Sequence, residues 1–130
     1  MPTIQITDET TGRRDTHTWT LDFLDETVIA QEIIRCRVYE EVLEYNAKNQ
    51  EVFRGLVQPT DTERELNGFK LKPGRKIDWE SQYARAIQAF AGNGFIMLVD
   101  NTQIETLEEP VHLREGTTIT FLKLVPLVGG

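Results

Sequence analysis

The chain has 130 residues, 39% hydrophobic and 27% charged, which is enough for one globular domain with a hydrophobic core. Its formal net charge is −7 and it has no block of Lys and Arg, so the composition argues against nucleic-acid binding, which requires clustered positive charge. No segment reaches the roughly 18 apolar residues of a membrane span, and the first residues lack a basic or apolar leader. We therefore expect a single cytoplasmic domain over residues 1–130, with no nucleic-acid or membrane partner.

Two alternating segments near the N-terminus predict a β-hairpin. Residues 3–7 alternate between polar and apolar side chains, and residues 16–21 do the same. The polar residues 8–13 between them include Gly12, which suits a turn with positive φ. We expect these two strands to pair directly with each other.

A helical pattern follows the hairpin. Thr27 is the expected N-cap, and the helix is expected to extend to Asn46. Apolar side chains recur there at spacings of three or four residues, at Ala30, Ile34, Val38, Val42 and Tyr45. The other sides are rich in Glu and indicate a solvated surface rather than a pair of catalytic carboxylates. The pattern predicts one long amphipathic helix.

The middle of the chain has a different character. Residues 48–77 lack sustained periodicity and contain several Gly and Pro residues, which predicts an extended, loop-rich segment. Asp78 is the expected cap of a second helix that stops at Gly92. The apolar stripe of this helix, which we interpret as core, consists of Trp79, Tyr83, Ile87 and Phe90.

The last third of the chain predicts strands separated by turns. A turn at Asn93-Gly94 precedes a strand whose residues are almost all apolar, which indicates a buried strand. The expected elements are a buried strand at 95–99, a short strand at 103–107, a connection at 110–113, a turn at 114–116 and a final strand at 117–125.

The segment after the final strand is a short tail. Pro126 cannot donate a hydrogen bond to a sheet, and Leu127, Val128, Gly129 and Gly130 follow it. With ordinary glycine usage of about 7%, a Gly-Gly pair at a given position is a chance event of roughly one in two hundred. This tail is a modest indication of function by itself.

Three segments of the C-terminal part resemble β-grasp carriers, namely residues 95–104, 113–121 and 126–130. The first 45 residues are similar to ubiquitin in the order and spacing of their elements, whereas residues 48–92 have no counterpart in ubiquitin. The chain most closely resembles ubiquitin-like proteins of bacterial conjugation operons, which travel with their own activating, conjugating and deconjugating enzymes and are linked to antiphage defence. The resemblance implies an α+β, β-grasp (ubiquitin-like) fold with a mixed sheet packed on a long helix. The insertion at about 48–92 would contain the second helix.

The resemblance also implies a protein modifier that is not itself an enzyme. A separate activating enzyme would use ATP to adenylate the Gly130 carboxylate, which then passes to a conjugating enzyme and a target protein; a deconjugating protease would remove it. Gly129 would give access to a narrow channel, because a residue without Cβ lets the backbone approach the nucleotide closely. Pro126, Leu127 and Val128 would form the extended recognition tail. No cofactor of the chain itself is expected.

Two alternatives to the modifier stay open. The order of proline, an apolar residue and Gly-Gly also resembles sulfur carriers such as the small subunit of molybdopterin synthase, which form a C-terminal thiocarboxylate. The other alternative is a β-grasp interaction module whose Gly-Gly sequence has no chemistry. The long insertion favours a protein-facing role, because loops elaborated on a rigid sheet usually carry binding.

A partner surface is expected on the final strand. Ile119 and Phe121 share one face, so that Leu122 and Leu124 fall on the opposite face. Leucines not used by the core are candidates for protein contact. The alternative is that the insertion covers them.

No pattern of metal ligands or catalytic residues is evident. His17 and His112 are far apart in the sequence, and a lone histidine is more often structural than a ligand. Cys36 is the only cysteine, and we interpret it as a packed side chain, with a reactive thiol between two arginines as the alternative. We therefore expect no catalytic residue and no metal site.

Overall fold

A mixed five-stranded sheet and two helices are the main elements of an α+β fold. The computed structural model describes residues 2–12, 16–48, 52–53, 55–59, 63–65, 68–70 and 76–124. The chain divides into two compact units, which we call the sheet unit (Met1–Ile33 with Phe90–Gly130) and the middle unit (Ile34–Ala89). The tail at 126–130 lies outside the described residues.

The bounds of the elements within the described residues are as follows. The strands are β1 (Thr3–Thr10), β2 (His17–Asp22), β3 (Thr27–Ile29), β4 (Val52–Phe53), β5 (Glu63–Glu65), β6 (Gly68–Lys70), β7 (Phe95–Val99), β8 (Thr102–Ile104), β9 (Pro110–His112) and β10 (Thr118–Lys123). The helices are α1 (Ala30–Lys48) and α2 (Trp79–Ala91).

The five-stranded sheet has the strand order β2-β1-β10-β7-β8. Strands β1 and β10 are parallel, and the other neighbours are antiparallel. The predicted N-terminal hairpin is confirmed, and Gly12 has a positive φ of 78° just after β1. The prediction of a turn from residue 8 onward is wrong, because Asp8 and Thr10 continue the strand. Their parallel partners in β10 extend the ladder as far as Lys123.

The register of the sheet explains its buried face. Ile6 lies opposite Trp19 in β2 and Ile119 in β10, and Phe121 lies opposite Met97 in β7. Directly opposed residues point to the same side of a sheet, so these side chains form one layer. Of this layer, four side chains are 0% exposed: Ile6, Met97, Ile119 and Phe121. Burial of each contributes roughly 1.5–3 kcal/mol of transfer free energy.

Strands β3 and β9 form a separate two-stranded sheet, and β3 directly precedes α1. This pairing contradicts two predictions. Thr27 is not an N-cap, because it lies in β3 opposite His112, and residues 110–112 form β9 rather than a connection. The helix instead begins at Ala30, where the Ala30 and Gln31 amides donate to backbone carbonyl oxygens of the segment before β9 at 2.9 Å each. These bonds satisfy amides of the first turn that a capping side chain would otherwise satisfy.

Helix α1 carries apolar side chains on two opposite sides. The five predicted apolar positions are all buried: Ala30, Ile34, Val38, Val42 and Tyr45. On the other side Tyr39 is 37% exposed and Leu43 is 52% exposed. The helix is therefore not simply amphipathic, since apolar residues at i and i+4 share a face that is solvent-accessible.

Helix α2 begins as the sequence predicts. The Asp78 carboxylate accepts a hydrogen bond from the Ser81 amide at 3.2 Å, the geometry of a helix N-cap. Its buried side chains are Gln82 and Ala86. The predicted stripe is only half-buried at each of its positions, Trp79, Tyr83, Ile87 and Phe90. In the described parts of the chain, neither helix is long and apolar enough to cross a membrane.

Left-handed backbone conformations mark the reversals around β7 and before β10. Asn93 has a φ of 60° and donates its amide to the Phe90 carbonyl at 3.2 Å, so the left-handed residue after α2 is Asn93. Asp100 has a φ of 54° after β7, and Gly116 has a φ of 86° before β10. The predicted turn at 114–116 is confirmed.

Side-chain bonds to the backbone connect parts of the middle unit. The Asn46 side-chain amide donates to the Ile77 carbonyl and accepts from the Ile77 amide, both at 2.9 Å. Lys76 Nζ also donates to the Asn46 carbonyl oxygen. The residue that precedes the Asp78 cap is thereby held against the end of α1.

A buried ion pair lies nearby on α1. Arg37 is 0% exposed, and its Nη1 lies 2.9 Å from Oε2 of Glu41, whose side chain is 10% exposed. The other oxygen of Glu41 accepts a hydrogen bond from the Leu56 amide at 3.4 Å. A single carboxylate therefore contacts both a buried guanidinium and the backbone of the segment after β4.

An aromatic contact completes this part of the middle unit. The rings of Tyr45 and Phe53 meet edge to face at a centroid distance of 5.4 Å, and Phe53 is 1% exposed. Burial raises the pKa of the Tyr45 hydroxyl above its usual value of 10.0. Gly55 lies so close to Phe53 that a Cβ there would overlap the ring. The segment that was predicted as a loop also contains the three-stranded sheet β4-β6-β5.

Candidate partner-binding surface

The predicted tail residues Gly129, Gly130, Pro126, Leu127 and Val128 lie outside the described residues. The structure describes the chain up to Leu124, one residue beyond β10. It therefore gives the strand from which the tail continues, and the roles of the five tail residues stay predictions.

The end of β10 is hydrogen-bonded on both sides. The Lys123 carbonyl accepts from the Thr11 amide at 3.0 Å, next to β1. The Leu124 amide donates to the Gly94 carbonyl at 3.0 Å, next to β7. Because β10 lies between β1 and β7, the chain is held by the sheet to within two residues of Pro126.

The predicted partner residues lie on the more exposed side of this strand. Leu122 and Leu124 are half-buried, whereas Ile119 and Phe121 have no exposed surface. Leu122 is opposite Ile96 in β7 and half-buried Glu9 in β1. The leucines are therefore neither core residues nor fully solvated ones, and their role in partner binding stays a prediction.

Sequence reasoning missed two further residues of this surface. Ile96 and Leu98 in β7 were included in a strand predicted to be buried, but both are half-buried, while Phe95 and Met97 are 2% and 0% exposed. The alternation of a strand within the run Phe-Ile-Met-Leu-Val would have separated them. Register places Ile96 opposite Leu122 and Leu98 opposite Thr120. We call Ile96, Leu98 and Leu122 the apolar patch.

Polar side chains, mainly threonines, share the sheet face with the apolar patch. Thr7 and Thr120 are opposite each other, and the Thr7 hydroxyl is 3.5 Å from the Thr18 hydroxyl in β2. At the far edge the Thr3 hydroxyl donates to the Asp22 carboxylate at 2.6 Å. A small apolar patch with a polar surround is the usual composition of a protein-binding surface.

The described residues offer no evident site for a metal. Among them, no three His, Cys, Asp or Glu side chains lie close enough together to hold an ion. His112 contacts the Thr27 hydroxyl through Nδ1 at 3.1 Å, and His17 lies in β2. Cys36 is half-buried, and Arg35 Nη2 lies 3.9 Å from its sulfur. The contacts of His112 and Cys36 are therefore local hydrogen-bonding and packing contacts.

No family model, no curated protein and no solved structure matches the chain. The features of the chain that bear on function are the order of the strands, the apolar patch and the sequence that follows β10. These three features all belong to the sheet unit.

Proposed function

We propose that the protein is a ubiquitin-like modifier with a β-grasp fold. In this proposal a separate enzyme adenylates the Gly130 carboxylate, and a conjugating enzyme transfers the modifier to a target protein; a protease would release it. The single observation that carries the proposal is the position of the Gly-Gly sequence, which follows the strand lying between β1 and β7. By resemblance to conjugation operons, a role in antiphage defence is part of the proposal.

The connections between strands support a β-grasp assignment. An antiparallel N-terminal hairpin is followed by α1, and the last strand lies parallel to the first in the middle of the sheet. Parallel neighbours require a crossover connection, and the chain between β1 and β10 supplies one. This combination of hairpin, helix and central parallel pair is expected of a ubiquitin-like protein.

The chemistry of the tail needs only a carboxylate from this chain. An oxygen of the Gly130 carboxylate would attack the α-phosphorus of ATP, and pyrophosphate would leave. A thiolate or hydroxyl of a partner enzyme would then attack the acyl carbon, and AMP would leave. The absence of Cβ atoms at Gly129 and Gly130 lets this backbone pass close to the nucleotide. After this first attack by the Gly130 carboxylate, the partner enzymes and the target protein would supply the nucleophiles that attack the acyl carbon.

Intact-mass spectrometry with the activating enzyme and ATP tests this proposal. We expect a covalent adduct on the enzyme or on a target, and we expect no adduct with a variant that lacks Gly130 or with Gly129→Val, whose branched side chain obstructs the channel. Omission of ATP is the control for non-covalent carry-over. If an active enzyme leaves the mass of the protein unchanged, the modifier and the sulfur carrier are both excluded, and the interaction module is the candidate function that stays.

A sulfur carrier is the second candidate function. Pro126 followed by Leu127 and Gly129-Gly130 is the observation in its favour, because sulfur-carrier tails resemble this order. When a sulfur donor is added to the same incubation, its sulfur would displace AMP from the Gly130 adenylate, and a C-terminal thiocarboxylate would identify the carrier, whereas an isopeptide adduct would identify the modifier.

The apolar patch would provide the docking surface for the activating enzyme. Leu122→Asp introduces a charge among half-buried leucine and isoleucine side chains, and we expect about tenfold or more loss of activation rate, as for a central interface residue. Leu24→Asp is the matched control, because Leu24 is 83% exposed and lies elsewhere in the sheet unit. Circular dichroism of both variants should match the wild type. Unfolding of Leu122→Asp alone would instead place Leu122 in the core.

A further inference from the structure

The middle unit carries an exposed aromatic surface that the proposed acyl chemistry does not use. Tyr39 and Leu43 are separated by one turn of α1 and are 37% and 52% exposed. Residues at i and i+4 are neighbours on a helix surface, so the two side chains form a continuous strip. Single exposed apolar residues are ordinary, but a strip that continues onto a second element is not.

The strip continues onto α2. The Tyr39 and Trp79 rings meet edge to face with centroids 5.3 Å apart and planes at 88°. The Trp79 ring centroid lies 6.3 Å from that of Tyr83, which is one turn further along α2. Both side chains are half-buried. We call Tyr39, Leu43, Trp79 and Tyr83 the aromatic patch. Tyrosine and tryptophan are the residues that most often dominate the binding energy of protein interfaces.

Hydrogen bonds connect the two helices that carry the aromatic patch. The paired hydrogen bonds between Asn46 and Ile77 lie at the end of α1 and just before α2. The Asp78 carboxylate then caps the first turn of α2. Rings that are already in position lose less conformational entropy when a partner binds.

The charges next to the aromatic patch are mainly negative. Glu40 and Glu44 are exposed on α1 at an i, i+4 spacing, and Glu80 is exposed beside Trp79. Like charges at this spacing are mildly destabilising in a helix. Lys48 Nζ lies 2.7 Å from Glu44 and offsets part of this repulsion.

Positive charges also lie nearby. Arg35 is half-buried one turn before Tyr39 on α1, and its Nη2 lies 3.9 Å from the Cys36 sulfur. Lys76 is bonded to the carbonyl at the end of α1. Arg85 is exposed but follows Trp79 by six residues, which places it on a different side of α2. The exposed carboxylates beside the aromatic patch therefore favour a basic partner.

We propose that the aromatic patch binds a protein segment that presents arginine next to an aliphatic side chain. A guanidinium stacks on tyrosine or tryptophan rings, and it forms paired hydrogen bonds with a carboxylate such as Glu40. The aliphatic side chain would cover Leu43. This interaction is separate from activation of Gly130 and holds whether or not the chain is a modifier.

Two other occupants are disfavoured by charge. A second copy of the chain also has a net charge of −7, so the carboxylates beside its own aromatic patch would repel. The surface of an anionic membrane would be repelled in the same way. Both occupants are distinguishable outcomes of the experiment.

Selection from a random linear peptide library against the full-length protein tests the inference. Peptides retained by the wild type and by Leu24→Asp, but not by Leu43→Asp, should be enriched in arginine next to an aliphatic residue. The two variants introduce the same charge at exposed leucines, one of them outside the aromatic patch. We expect about tenfold or greater weakening of a selected peptide by Leu43→Asp and no change by Leu24→Asp. Glu40→Lys should also weaken the arginine-containing peptides.

Other results would overturn the inference. They are selection without arginine enrichment, equal loss with Leu24→Asp, or unchanged binding to Glu40→Lys. Concentration-dependent dimerisation of the wild type that Leu43→Asp abolishes would assign the aromatic patch to a second copy. Circular dichroism spectra that match the wild type are required of all variants, and Leu43→Ala, which keeps the helix, replaces Leu43→Asp if the aspartate variant does not fold.

Discussion

A five-stranded ladder organises the sheet unit, whereas in the middle unit side-chain bonds to the backbone also connect segments that do not pair as strands. In the sheet unit, backbone ladders fix the register, and fully buried side chains such as Ile6 and Phe121 form one layer. In the middle unit, individual side chains bond to backbone atoms, as Asn46 does at Ile77 and Glu41 does at Leu56. Loss of one side chain should therefore have different consequences in the two units.

The two units should be sensitive to different kinds of substitution. A sheet that buries aliphatic side chains is sensitive to lost volume, because a cavity remains where the side chain was. A unit that depends on directed polar contacts is sensitive to a lost partner, because the remaining polar group stays buried without its bond. The contrast is tested by comparing the free energy of unfolding of variants that lose side-chain volume with that of variants that lose a polar partner.

The largest effect is expected from loss of volume in the sheet. Phe121→Ala removes a ring that is 0% exposed and packs at 6.0 Å from the Phe95 ring, and we expect a loss of about 3–5 kcal/mol in the free energy of unfolding. Urea denaturation followed by circular dichroism measures it. Leu98→Ala, in the neighbouring strand but half-buried, is the control and should lose clearly less. Equal losses would contradict the assignment of the two sheet faces.

The next largest effect is expected from the buried ion pair in the middle unit. Glu41→Ala removes the carboxylate at 2.9 Å from buried Arg37, and we expect a loss of about 3 kcal/mol, because the buried guanidinium loses the opposite charge of this carboxylate. The double variant Arg37→Met, Glu41→Leu removes both charges and keeps the volume. We expect it to lose less stability than Glu41→Ala, and the remaining loss to come from the Leu56 amide, which no longer has the Glu41 acceptor. A double variant as unstable as Glu41→Ala would show that packing, not charge, governs this site.

A smaller effect is expected from the Asn46 bonds. Asn46→Ala removes two hydrogen bonds of 2.9 Å to the backbone of Ile77, and we expect a loss of about 2 kcal/mol. Thr18→Ala is the matched control in the sheet unit, because its hydroxyl makes an exposed contact with Thr7 at 3.5 Å and should cost little. Both losses are measured by urea denaturation. Similar losses for the two variants would remove the contrast between the units.

Local patterns in the sequence predicted much of the sheet unit but missed pairings between distant segments. The hairpin and the strand at 95–99 follow from alternation and turn residues, which are local properties. The pairing of β3 with β9 joins residues more than eighty positions apart, so no local pattern indicated that Thr27 is a strand residue. The same pairing places carbonyl oxygens at the start of α1 and makes a capping side chain unnecessary.

The candidate surfaces were predictable to different extents. Alternation in the last strand placed Leu122 on the face away from Phe121, but only the register of β7 brings Ile96 next to it. For the aromatic patch, the spacing of Trp79 and Tyr83 was visible and was interpreted as core. Their half-buried state and the contact with Tyr39 depend on how two helices pack, which helical periodicity does not specify.

The smallest expected effect is a pH dependence that originates in the middle unit. Burial raises the pKa of Tyr45 above 10.0 in the folded state, so the unfolded chain loses this proton at a lower pH than the folded one. The stability that follows from this difference is complete below the unfolded pKa and is lost as pH rises through the folded pKa. Tyr45→Phe cannot lose a proton and should show a smaller decline in urea denaturation as the pH rises above 10.0, the usual tyrosine pKa.

The control for this experiment is Tyr39→Phe. Tyr39 is on the exposed side of α1, and the substitution removes the same hydroxyl without burial. We expect it to leave the alkaline decline of the wild type unchanged, because we attribute that decline to burial of Tyr45. If Tyr39→Phe reduces the decline as much as Tyr45→Phe, the decline does not arise from burial of Tyr45. A reduction confined to Tyr45→Phe would assign the alkaline decline to burial of the Tyr45 hydroxyl.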